Sequence, residues 1–344
     1  MFKSSRVKWL WALLFGLIVI TLLTIKLWQQ QPSLPPLPEW HAYKSIFLST
    51  EGRIVDSGNH GVSHSESQGY GMLFAFHASD HESFQLIWQW TQKNLQIRND
   101  HLFAWRLHPS EGISDINNAS DGDILIAWAL LKAGEAWSEE SYLQDGQKIL
   151  DDLQRSVIRQ WQGQTILLPG EYGFEHDGVY TVNLSYWLFP AFRDFQRIYP
   201  SPDWQALEQS GRYLIAHARF GEWQLPPDWL QLGETPQLAT THKPRYGYDA
   251  IRVPLNLVWA EIDDPVLLKP FSHFHKSIIQ LGSHLPSWVD LANNQLGEYD
   301  APAGMKAVYN LLENTPRSEH LTTPSMNDDY YSSSLMIMAK LASN

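Results

Sequence analysis

One stretch limits the fold more than any other: Asn118-Ala119-Ser120-Asp121-Gly122-Asp123-Ile124-Leu125-Ile126-Ala127-Trp128-Ala129-Leu130-Leu131-Lys132-Ala133-Gly134-Glu135-Ala136-Trp137. Apolar residues recur at helical spacing through Ile124, Ala127, Trp128, Leu131 and Trp137, which predicts a helix with a face meant for burial. Ser120 stands where a hydroxyl can accept from orphan backbone N–H groups, with Asp123 three residues on in a capping-box position. Asp121 and Asp123 then have two readings. They complement the positive end of the helix dipole, or they bring acids to a site.

The rest of the chain follows the same helical period. Helix-like runs fall near 39–48, 66–79, 82–96, 120–134, 139–158, 184–199, 203–217, 247–262, 264–281, 302–313 and 328–342. Loops carrying Gly, Pro, Asn and Asp join them. Strand-like alternation is nearly absent; Thr165-Ile166-Leu167-Leu168 and Val179-Tyr180-Thr181-Val182 are candidates for a short hairpin. The expectation is a large all-α domain. Consecutive helices in hairpins, some apolar almost all round and others one-sided, suit a two-layer helical barrel.

The N-terminus reads differently. Lys3, Arg6 and Lys8 precede Trp9–Ile25, which carries no charge and approaches the length needed to span a bilayer. No small-x-small cleavage site follows, so residues 1–28 are expected to be an uncleaved anchor, with a cleaved secretory signal as the alternative. The positive-inside rule then puts everything after the anchor outside the cytoplasm, on the periplasmic side of an inner membrane. Residues 29–38, Gln-Gln-Gln-Pro-Ser-Leu-Pro-Pro-Leu-Pro, form a proline-rich spacer, and one domain is expected over 39–344.

Composition excludes some chemistry. With 25 Lys+Arg against 37 Asp+Glu and no basic run beyond the first residues, the chain lacks the cations that neutralise nucleic-acid phosphates. Cysteine is absent, so disulfides, thiolate metal sites and thiol nucleophiles are impossible. Sixteen Trp are hard to bury completely because each indole N–H needs a partner. Some are therefore candidates for stacking on apolar sugar faces, against helix packing as the default.

Three stretches place a carboxylate at the start of a helical run. Glu66 stands in His64-Ser65-Glu66-Ser67-Gln68-Gly69-Tyr70-Gly71-Met72, where it would otherwise be a helix cap. Asp121 stands in Ser120-Asp121-Gly122-Asp123. Asp249 stands in Tyr246-Gly247-Tyr248-Asp249-Ala250-Ile251-Arg252-Val253, where an ion pair with Arg252 at i+3 is the plainer reading. In a barrel whose inner helices point one way, those ends meet in one cleft. Two carboxylates there can protonate a leaving oxygen and activate water, which is the requirement for breaking a glycosidic bond.

The run from Ala119 to Trp137, with Ser-Glu-x-Gln-x-Tyr-Gly-Met and Tyr-Asp-Ala-x-Arg-Val, resembles the signature motifs of glycoside hydrolase family 8. The likeness extends over roughly 39–344. It implies an (α/α)6 barrel and an inverting endo-acting hydrolysis of a β-1,4-linked glucan, without a cofactor or metal. It also implies the roles: Glu66 the proton donor, Asp249 the base that activates water, and Asp121 a third acid binding the distorted sugar. Arg252 would keep Asp249 ionised and oriented. By the same likeness Trp105, Tyr186, Tyr330 and Tyr331 are candidate substrate contacts, with core packing as the alternative for each. Gly69 departs from the pattern, standing where near relatives carry Ser or vary. The motif details are most similar to endoglucanases that accompany bacterial cellulose synthesis, so association with a cellulose-synthesis complex is an expectation. Xylan, mixed-linkage β-glucan and chitosan are alternative substrates.

Two readings from other classes compete. His60-x3-His64 and His77-x3-His81 have the spacing of metal ligands one helical turn apart. A non-catalytic glucan-binding protein on the same barrel is the other; the presence of Glu66, Asp121 and Asp249 together opposes it.

Overall fold

The computed structural model describes residues 37–313 and 323–343. The expected anchor and most of the spacer lie outside them, and among the described residues no helix is long and apolar enough to cross a membrane.

The run that opens the sequence argument folds as α4, Ser120–Trp137, and it is buried on all sides from Ser120 to Leu131. Three other helices share that burial: α2 (Ser65–His77), α8 (Arg252–Trp259) and α11 (Tyr330–Ala342). By contrast α3 (His81–Asn94), α5 (Glu140–Val157), α7 (Pro202–His217) and α9 (Pro265–Gln280) bury one face only. A helix apolar all round must be enclosed by other helices, and a one-sided helix must cover something. The packing follows that rule. α2 lies against α4, α4 against α6 (Phe189–Ile198), α6 against α8, and α8 against α11 and α10 (Ala303–Leu312). α1 (Pro38–Phe47) packs on α11, and its Tyr43 meets Phe74 of α2 edge-on at 5.3 Å, closing the ring. This is the two-layer (α/α)6 barrel.

α2 and α4 approach closely because glycines line the contact. A Cβ at Gly69 would sit 2.5 Å from Leu125 Cβ, and one at Gly122 would sit 2.7 Å from the backbone nitrogen of Glu66. The departure at Gly69 thus falls on the seam between the two helices.

Four sequence expectations need correction. The predicted cap of α4 does not form: the helix starts after Ala119, without a side-chain cap. Ser120 instead donates to Leu168 O at 2.8 Å. Asp123 is drawn away from its helix by Phe103 N–H and Asn118 Nδ2, at 3.1 and 2.7 Å. The two strand candidates do not pair with each other. Gln164–Leu167 pairs with Ile158–Trp161, and Val179–Val182 joins a four-stranded sheet with Glu175–His176, Leu230–Leu232 and Pro236–Leu238. Each finds a nearer partner through a two-residue turn, Gln162-Gly163 or Asp177-Gly178, with positive φ at both positions. The run 184–199 breaks into a single 3-10 turn, Leu184–Tyr186, and α6. Lastly, most of the described indoles are core. Among the described residues Trp40, Trp88, Trp90, Trp128, Trp161, Trp187, Trp204 and Trp223 are buried, and no Trp is exposed.

Candidate active site

The N-terminal ends of α2, α4, α8 and α11 meet, and the three acids singled out in the sequence meet with them. One guanidinium holds the group together. Arg252, first residue of α8 and 5% exposed, donates from Nη1 to Glu66 Oε1 and from Nη2 to Asp249 Oδ1 at 2.8 Å. The same Nη1 lies 3.6 Å from Asp121 Oδ2 and 3.3 Å from the Tyr70 hydroxyl. The expectation that Arg252 serves Asp249 is therefore too narrow: it is shared by all three carboxylates.

Three acids and one cation at the floor of a cleft set the electrostatics. Asp121 is 3% exposed, and burial, with Glu66 nearby, holds its carboxyl well above the usual carboxylate range. Asp249 is also raised by burial, against the pull of Arg252. Asp249 precedes α8 rather than lying in it. The turn that carries it, Gly247 to Ala250, accounts for the late start of this helix at Arg252.

Sequence reasoning missed the residue that builds this turn. Asp228, 6% exposed, accepts on one oxygen from both Gly247 N–H at 2.9 Å and Ala250 N–H at 2.8 Å. Its own N–H bonds Arg245 O at 2.7 Å. Burial first, then the charge of Asp249, pushes Asp228 up to about 7. The free second oxygen is where that proton can sit. In sequence it is one Asp in Pro226-Pro227-Asp228-Trp229, which reads only as a turn. A carboxyl raised in the fold stabilises below its unfolded value, and that contribution is lost as pH rises through about 7. Asp228→Asn keeps the accepting oxygen and removes the titration. Thermal melts of this variant are expected to flatten between pH 4 and pH 8 and to lie above wild type at pH 8; a wild-type slope would show that Asp228 is not the group responsible.

The aromatic candidates fall around the acids. Trp105 is half-buried beside the start of α2; its carbonyl accepts from Ser65 N–H at 3.0 Å, its Nε1 donates to Asp115 at 3.0 Å, and Arg106 lies over its ring. Tyr186 lies under Arg252, 5.8 Å from guanidinium to ring, with its hydroxyl raised by burial and by Asp121. Tyr331 lies at 5.9 Å from the same guanidinium and donates to Tyr248 O. Tyr330 is buried, packed against Tyr43, Phe47 and His64. The cleft above the acids is lined by Asp56, Glu66, Tyr248, Asp249, Asp329 and Tyr331.

The histidine pairs are not on single helices. His60 sits in a turn at φ 55°, and His77 ends α2 while His81 begins α3. His81 stacks on Trp137 at 3.8 Å. Among the described residues no cluster of three or more His, Cys, Asp or Glu is placed to hold a metal ion.

Comparison with known proteins gives a consistent result. The family model described as "Glycosyl hydrolases family 8" matches residues 16–344. A probable endoglucanase from Novacetimonas hansenii is 38% identical over 310 residues, covering 88% of this chain and 90% of that protein. Among solved structures, an endoglucanase from Komagataeibacter sucrofermentans superposes with a TM-score of 0.82 at 40% identity, covering 89% of this chain and 96% of its own. The endo-beta-1,4-glucanase CMCax from Acetobacter xylinum gives 0.82 at 37% identity over 88% and 96%.

Proposed function

This chain belongs to glycosyl hydrolases family 8, and from that premise we infer an endo-acting hydrolase of β-1,4-linked glucan that inverts the anomeric centre. The observation that carries the mechanism is the grip of Arg252 on Glu66 and Asp249 through two different nitrogens. It fixes both carboxyls against one rigid group. Glu66 protonates the departing glycosidic oxygen, and Asp249 takes a proton from the water attacking the opposite face. Asp121, its carboxyl raised by burial, is placed to hydrogen-bond a sugar hydroxyl. Tyr186 and Tyr331, which flank Arg252, and Trp105 offer ring faces to the glucan.

An inverting pair needs carboxyls about 6.5–9.5 Å apart, against about 5–5.5 Å for a retaining one. Proton NMR of the first-formed product from a β-linked cello-oligosaccharide is expected to show the α-anomer. A β-anomer would remove Asp249 from the role of base. Reducing-sugar release, compared across carboxymethylcellulose, xylan, lichenan and chitosan, is expected to be highest on carboxymethylcellulose.

The basic start and uncharged Trp9–Ile25 support anchoring in an inner membrane with the barrel in the periplasm, where a nascent glucan from a cellulose-synthesis complex would be met. The full chain is expected to stay with membranes through alkaline carbonate washing. Its release into the wash would exclude an integral anchor.

A further inference from the structure

Beside Asp249 stands a buried donor that the mechanism above leaves unused. Asn183, fully buried, precedes the 3-10 turn Leu184–Tyr186 and caps it. Its Oδ1 accepts from Ser185 N–H at 3.0 Å and from Ser185 Oγ at 2.7 Å. A backbone N–H can only donate, so the amide cannot be turned round and Nδ2 must point the other way. There Nδ2 completes no hydrogen bond among the described residues. A buried donor left unpaired is costly, and its presence calls for a reason. The carboxyl under its influence is Asp249, which Asn183 favours in the ionised form. The turn itself is fastened to α8, where Asn256 Nδ2 donates to Ser185 O at 3.0 Å.

Asp249 has a use for such a donor. Burial and Glu66 both oppose its ionised form, yet a base must start bare to take a proton from water. Arg252 favours both carboxylates that it bonds, so it does not by itself decide which of the two keeps the proton. A donor at Asp249 breaks that symmetry. We propose that Asn183 is a positioning residue for the base, its Nδ2 donating to the Asp249 carboxylate and so assigning the ionised state to that acid rather than to Glu66. The proposal rests on the reading of Asp249 as the base. The charged groups facing Asp249 are Arg252, Glu66 and Asp121, with Asp228 under its turn. His242 and the hydroxyls of Tyr186 and Tyr331 are the other titratable neighbours.

The test separates this role from capping of the turn. Serine caps about as well as asparagine, so Asn183→Ser can keep an acceptor for Ser185 N–H while losing the amide. The base then lacks a donor to its charged form. The acidic limb of the kcat/KM–pH profile is expected to move up by about one pH unit, with KM on the plateau little changed. Asn183→Gly, a mild change at a cap, should move the limb the same way, and it carries the test should Asn183→Ser fail to fold. Ser185→Ala is the control. It removes the Oγ bond but leaves Nδ2 in place, so its melting temperature should fall while the limb stays. A limb that stays put in folded Asn183 variants overturns the proposal, and so does an equal move in Ser185→Ala. Full turnover in Asp249→Asn would instead sink the premise, and so distinguishes the two failures.

Discussion

Glu66→Gln is expected to lower hydrolysis of a β-1,4-glucan by roughly two to four orders of magnitude, the usual worth of general acid catalysis. The fold should survive, for a reason visible in its surroundings. The amide oxygen can still accept from Arg252, and glutamine has the size of the side chain it replaces. Glutamine thus reproduces the shape of the protonated acid and its bond to Arg252 but has no proton to give. KM should change far less than kcat, because ground-state binding is retained. Steady-state reducing-sugar assays with a matched thermal melt decide it. A folded variant with near-wild-type kcat would exclude Glu66 as the donor.

The second large effect is structural and reaches the same acids. At Gly122 an added Cβ would lie 2.1 Å from Ser65 Oγ, 2.6 Å from Ser65 Cβ and 2.7 Å from Glu66 N. A backbone nitrogen in the first turn of a buried helix cannot swing aside, so α2 and α4 must separate where Glu66 and Asp121 face each other. Gly122→Ala is expected to cost about 2–3 kcal/mol or more, the range of core overpacking, and to lower kcat through misplacement of the two carboxyls. Gly233→Ala is the control, since a Cβ there meets nothing within 4 Å. It should stay within about 0.5 kcal/mol of wild type, as surface changes do. Equal melting temperatures for the two variants would refute the close-packing account.

The site was readable where chemistry and periodicity coincide. Glu66, Asp121 and Asp249 each stand close to a glycine (Gly69, Gly122 and Gly247) at the head of an apolar run, and the barrel brings those heads together. Arg252 was legible as a neighbour of Asp249 but not as the partner of Glu66, 186 residues away in sequence, because only the closed ring makes that contact. Asp228 gave no signal: its partners are backbone N–H groups, which carry no sequence identity. The hairpins were misread for the opposite reason. Their flanking residues do not alternate cleanly, and the turn at Asp177-Gly178 is the stronger cue. Ser120 and Asp123 had the right types for a cap, yet tertiary acceptors and donors from Leu168, Phe103 and Asn118 claimed them.

The shared grip of Arg252 has a consequence for the catalytic cycle as a whole. In the proposed reaction Glu66 begins protonated and Asp249 bare, and when the glycosidic bond has broken their states are exchanged. A cation bonded to only one of them would gain its counterion in one half of the cycle and lose it in the other. Bound to both, Arg252 meets a single negative charge at the start and at the end, merely on the opposite arm of its fork. Turnover is then locally isoelectric, with no buried charge created or stranded, and resetting the enzyme requires only that one proton leave Asp249 and one return to Glu66.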